Sequence, residues 1–201
     1  MTPSIADEIA AMAARLVVEE GMEYGAAKRK AARQMQRRVR PGTELPSNER
    51  VEDEVRAYIG LFCADTQPGE LLVLRRIAAR WMQRLAEFRP HLSGAVWRGT
   101  ATRQSSIHID LYCDDPKGAE IALINQGIDY DVEGPGGDAQ VDFLRLAEFS
   151  AELNDTVTIH LAVRDLDDQR GALKCDARGR SWRGDALALQ RLLAPTQAMA
   201  P

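Results

Sequence analysis

The chain has 201 residues, enough for one domain of ordinary size or two small ones. Apolar residues make up 45% and charged residues 28%, which excludes a disordered chain, while 5% aromatics exclude an extended base-stacking platform. The formal net charge of −4 excludes a uniformly basic nucleic-acid binder, and no apolar run reaches the roughly 18 residues of a membrane span.

Four helices are predicted first. Ser4 caps the first, with Asp7 at capping-box spacing, Ile5, Ile9, Met12, Leu16 and Val17 as its apolar stripe, and Gly21 as its stop. A short second helix carries Tyr24, Ala27 and a basic run, KRKAARQMQRRVR over 28–40. That run holds seven bases and no acid: Lys28, Arg29, Lys30, Arg33, Arg37, Arg38 and Arg40. Residues 110–155 compensate with twelve acids against Lys117 and Arg145. After the turn-rich PGTELPSN, a third helix places Val51, Val55, Ile59 and Phe62 on one side. Asp65, Gln67, Pro68 and Gly69 break it, and a fourth helix is predicted from about Glu70 to Phe88, with Leu74, Ile77, Trp81, Leu85 and Phe88 on one stripe.

The period then changes from helical to two. In SSIHIDLYC, Ile107, Ile109, Leu111 and Cys113 face one way, and Ser106, His108, Asp110 and Tyr112 the other. Asp115-Pro116 opens a helix that ends at Gly127. IDYDVE and AQVDFLRL read as strands around a hairpin turn at 134–137, and TVTIHLAV at 156–163 as another. A last helix starts at Asp185 with Leu187, Leu189, Leu192 and Leu193. Helices followed by strands predict an α+β fold, with a helical region over 1–66 and a sheet region over 67–201, or one compact unit over 1–201 with the N-terminal helices packed on the sheet.

Residues 92–112 read LSGAVWRGTATRQSSIHIDLY. This resembles the nucleotidyltransferase family related to DNA polymerase beta, whose signature is Gly-Ser, a short loop, and Ser-Asp-x-Asp on a strand. The resemblance covers about residues 70–165 and implies a mixed β-sheet flanked by helices, with a nucleotide or phosphate site at Gly94, Arg98, Gly99 and Thr100. Family members hold two Mg²⁺ ions with paired carboxylates. Here Ala95 stands at the family's Ser, and Ser106 and His108 stand at its two carboxylates. Asp110 shares the His108 face but lies two residues further on, about 6.6 Å away. Asp165, at the end of the 156–163 strand, could supply a third carboxylate. The catalytic candidates are therefore His108, Asp110 and Asp165, Mg²⁺ is the cofactor only if the site is active, and the resemblance implies a diverged relative with weak or absent transfer. The wording YGAAKRKAARQ, LFCADTQP, CDDPK and DLDDQRGAL also resembles a family of uncharacterised proteobacterial proteins.

Other readings stand beside this one. His108, Asp110 and His160 suit Zn²⁺ or Fe²⁺ if their strands pair, and otherwise form a plain polar sheet face. The bases at Lys28, Arg29, Lys30, Arg33, Arg37 and Arg38 could bind RNA or an acidic protein, making the chain a non-enzymatic interaction module, or could form a solvated helix face. Cys63, Cys113 and Cys175 form no CxxC pair, and the N-terminal residues lack a signal-peptide pattern. A reduced, cytoplasmic protein with free thiols and no membrane partner is expected.

Overall fold

The computed structural model describes residues 4–35, 44–133 and 142–194. Arg37, Arg38, Arg40 and the expected turn at 134–137 lie outside them. The chain divides into two units, Met1–Leu71 with Thr100–Ser105 and Leu72–Gly99 with Ser106–Pro201.

The first unit is helical. Helix α1 (Ile5–Glu20) begins with the expected capping box: Ser4 Oγ accepts from Asp7 N at 3.2 Å, and the Asp7 carboxylate accepts from Ser4 N at 2.8 Å. Helices α2 (Tyr24–Gln34) and α3 (Asn48–Phe62) pack on α1. Ile9, Leu16 and Val17 meet Val51, Val55 and Ile59, while Ala10, Ala13, Ala14, Ala27 and Ala31 let the helix backbones approach closely. Each large aliphatic side chain buried here contributes about 1.5–3 kcal/mol. Phe62 does not join this core: it is exposed against Tyr58, because α3 ends where its stripe turns to solvent.

Residues 100–105 clasp this unit. Gln67 Nε2 donates to Ala101 O at 2.9 Å, Arg103 N donates to Glu70 at 2.9 Å, and Thr102 Oγ1 donates to Val18 O at 3.3 Å. Gln67 and Pro68 do not break a helix; they open α4 (Gln67–Arg84). A proline in the first turn loses no hydrogen bond, since those N–H groups have no intrahelical partner.

The second unit is α+β around a mixed six-stranded sheet. Its strands are β1 (His91–Ser93), β2 (Ile107–Cys113), β3 (Asp131–Glu133), β4 (Asp142–Ser150), β5 (Asp155–Asp165) and β6 (Arg183–Gly184), in the order β3-β4-β5-β2-β1-β6. Only β2 and β5 pair in parallel; α6 (Pro116–Asn125) and the β3–β4 hairpin lie between them in the chain, as a parallel pair requires. One sheet face is aliphatic, with Leu92, Ile107, Ile109, Leu111, Leu144, Leu146, Ile159 and Leu161 buried. On the same side, Trp81 of α4 donates its indole N–H to Glu148 of β4 at 2.6 Å. β3 is shorter than the expected strand, and β1, β6 and the short helix α5 (Gly94–Arg98) were not expected as elements. On α7 (Ala186–Leu193) only Leu189 is buried; Leu187 and Leu192 are exposed. Among the described residues no helix is long and apolar enough to cross a membrane.

Gly21 ends α1 at φ +66°, and a Cβ there would sit 2.2 Å from the Gln104 carbonyl oxygen. Gly21→Ala is therefore expected to destabilise the first unit by about 2 kcal/mol, from left-handed strain and a backbone clash. Urea unfolding followed by far-UV circular dichroism measures this.

Candidate functional site

The polar face of the sheet follows from strand alternation. The β2–β5 register sets His108 opposite His160, Asp110 opposite Ala162, and Tyr112 opposite Arg164. On the neighbouring strands Ser93 pairs with His108, His91 with Asp110, and Arg145 with His160. All three histidines of the chain thus lie on one face.

His108 and His160 are brought together. Their rings are near-parallel, 10° apart, with centroids 4.9 Å apart. His160 Nδ1 lies 3.4 Å from a Glu133 carboxylate oxygen, and Arg145, 48% exposed, bridges Glu133 and Asp131. Gly94 sits over this pair at φ +66°; a Cβ there would be 3.2 Å from the His108 ring.

Asp110 is 95% buried and committed elsewhere. Its Oδ1 accepts from Arg164 Nε at 2.7 Å and its Oδ2 from Arg183 Nε at 2.5 Å. Burial works against the Arg183 charge, and the Asp110 carboxylate more than restores it, so the guanidinium holds its proton above its ordinary range. Tyr112 packs edge-on to His91 at 5.2 Å. Burial, and then the Asp110 charge, push its phenol above the usual tyrosine range.

Asp165 does not reach this face. It pairs in register with Cys113, on the aliphatic side of the sheet, and its carboxylate accepts from Asp167 N at 2.8 Å to start a short 3-10 turn, Leu166–Gln169. With Asp114 and Asp115 it helps to raise the Cys113 thiol, after burial as the leading cause.

Gly94, Arg98, Gly99 and Thr100 do not converge. Arg98 points to the 176–182 segment: it donates to Ser181 O at 3.1 Å and Asp176 at 3.2 Å, and stacks over Trp182 at 4.5 Å. Asp176 is held below the usual carboxylate range, first by the Arg180 backbone N–H. Gly99 ends α5 beside Arg75, whose guanidinium donates to Val96 O and Trp97 O. Thr100 is buried within the first unit's segment, its hydroxyl without a hydrogen-bond partner.

On α2, Lys28 Nζ donates to Pro46 O and Asn48, and Lys30 pairs with Glu20. Arg29 and Arg33 are exposed. The basic run is thus partly an internal brace of the first unit.

The residues present do not fit Mg²⁺. That ion takes oxygen ligands in a near-octahedral shell, whereas the position under Gly94 carries imidazole and the nearest buried carboxylate is capped by two guanidiniums. Among the described residues no group of three or more His, Cys, Asp and Glu side chains is placed to hold a metal ion. The sequence could not reveal Arg164 and Arg183 as site residues, because one lies just past the expected strand end and the other on a two-residue strand.

No protein-family model matches this chain, and no curated protein matches it. Solved structures of the Cid1 poly(U) polymerase align with it in part. The complex with the UTP analogue UMPNPP aligns over 54% of this chain and 36% of that one, at 11% identity and a TM-score of 0.37. The MgGTP-bound form aligns over 53% and 38%, at 12% identity and a TM-score of 0.37. This chain spans little more than a third of the length of those chains.

Asp110→Ala would leave two half-buried guanidiniums unpaired and is expected to cost about 2–3 kcal/mol, read by urea unfolding. Tyr112 adds a pH dependence. Its folded value is raised, so its contribution is complete below the unfolded value of 10.0 and is lost as pH rises through the folded one. Tyr112→Phe should remove that part of the alkaline loss of melting temperature. In timed alkylation at pH 8, exposed Cys175 should react before Cys113.

Proposed function

We propose that this chain is a diverged nucleotidyltransferase-like protein that binds a nucleotide through its phosphates on the Gly94–His108–His160 face and carries out no two-metal nucleotidyl transfer. The order α4, β1, Gly94 opening α5, then β2 with residue 108 under Gly94 supports the fold part of this reading. The 92–112 resemblance implies a glycine, a short loop and then a strand, which is part of this order. The observation that carries the functional part is the Arg164–Asp110–Arg183 clamp. It occupies both oxygens of the buried carboxylate with guanidiniums, which keeps that carboxylate from a divalent cation, while Asp168 also acts on Arg183. Arg145 lies beside His160, where it is paired to Asp131 and Glu133. The three free cysteines support a cytoplasmic setting for such a nucleotide-binding protein.

Isothermal titration of the full chain with ATP, GTP and UTP, with Mg²⁺ and with EDTA, tests the reading. Binding is expected to persist in EDTA and to weaken by about tenfold in the His108→Ala/His160→Ala double variant. No pyrophosphate should be released. Absence of binding at millimolar nucleotide overturns the binding half. Mg²⁺-dependent pyrophosphate release that disappears in Asp110→Asn overturns the other half.

A further inference from the structure

A second site lies away from the histidine pair, inside the sheet unit. The C-terminal part of α4, the 3-10 turn Ala86–Phe88, the Leu166–Gln169 turn and α7 line an open cleft of about 630 Å³. That is the volume of ordinary small-molecule sites. Met82 and Leu189, both fully buried, back its floor, and Ala79, Ala86, Ala186 and Leu173 present its accessible apolar surface.

The polar groups at the cleft are unequal. Asp185 is committed as the cap of α7, accepting from Ala188 N at 2.8 Å. Arg80 is committed to Glu148. Arg89 meets a neutral partner, the Gln169 side-chain oxygen, at 3.4 Å. Its backbone is held at φ +48°, a conformation non-glycine residues seldom adopt, and its carbonyl accepts from or faces His91 Nδ1 at 2.8 Å. That conformation is where Arg89 caps the 3-10 turn, its N–H donating to Ala86 O at 3.2 Å. Here the result is a guanidinium across the mouth of an apolar cleft.

We propose that this cleft binds an amphipathic monocarboxylate, its chain against Ala79, Ala86, Ala186 and Leu173 and its carboxylate on Arg89. A guanidinium matches a carboxylate with two parallel N–H donors. A polyphosphate is a poor fit, since Arg80 is already paired and Asp185 adds a negative charge to the wall. The site is thus distinct in place and in ligand from the phosphate face above.

The test is titration of the full chain with sodium octanoate, by calorimetry and by amide chemical shifts. One site is expected, with a dissociation constant of about 0.1–1 mM for a ligand of this size. The neutral 1-octanol should bind at least about tenfold more weakly. Arg89→Gly removes the guanidinium while suiting the positive φ, so it should keep the fold and lose about tenfold in octanoate affinity. Ala86→Trp should fill the cleft and abolish binding; Ala86→Leu, a smaller fill, replaces it if its circular dichroism shows misfolding. Saturating ATP should leave octanoate binding unchanged, which separates this site from the nucleotide reading. No saturable octanoate binding, equal affinity for octanol, or full binding in the Ala86 variants overturns the proposal.

Discussion

A carboxylate taken out of water must be paired or lose its charge, and Asp110 is the point where this fold meets that constraint. It sits on β2 and reaches Arg164 on β5 and Arg183 on β6. β6 is not its neighbour: β1 lies between them. One side chain therefore ties together four strands, β6-β1-β2-β5, across their polar face. β1 has three residues and β6 has two, too short to be held by ladder hydrogen bonds alone. The clamp and the Trp97 ring against Gly184 fix this end of the sheet.

The same alternation that aims Asp110 inward decides what the face can do. The parallel register of β2 and β5 stacks His108 on His160 and turns Asp165 to the opposite side. A one-residue slip of either strand would turn its imidazole to the aliphatic side and its Ile109 or Leu161 to the polar one, so the aliphatic face enforces the arrangement of the polar one. Gly94 then rests on the imidazole because no side chain fits between them.

These features were unevenly legible in the sequence. The Ser4–Asp7 box, the Gly21 stop, the Asp115 and Asp185 caps and the alternation of 106–113 and 156–163 are local, so residue type and spacing disclose them. The alternation of 106–113 also put His108 and Asp110 on one face, as the strand register has them. What escaped was set by distant partners. β1 and β6 are too short to show a period, and Arg183 meets Asp110 across 73 positions of chain. Arg98 and Thr100 look like loop residues facing a ligand, yet the 176–182 segment and the first unit each claim one of them. Proline at 68 resembles a breaker unless it is known to fall in the first turn.

The departures from the carboxylate pattern are mutually dependent. A site for two divalent cations needs carboxylate lone pairs free of competing donors. With Arg164 and Arg183 beside Asp110, a carboxylate placed at residue 106 or 108 would meet guanidiniums before it met Mg²⁺. Conversely, removing the two arginines would leave Asp110 buried without a partner and free the short edge strand. Neutral Ser106, imidazole at 108 and 160, and the doubly paired Asp110 form one electrostatic arrangement. No single substitution makes it a metal site, because each group's charge is set against that of its neighbour.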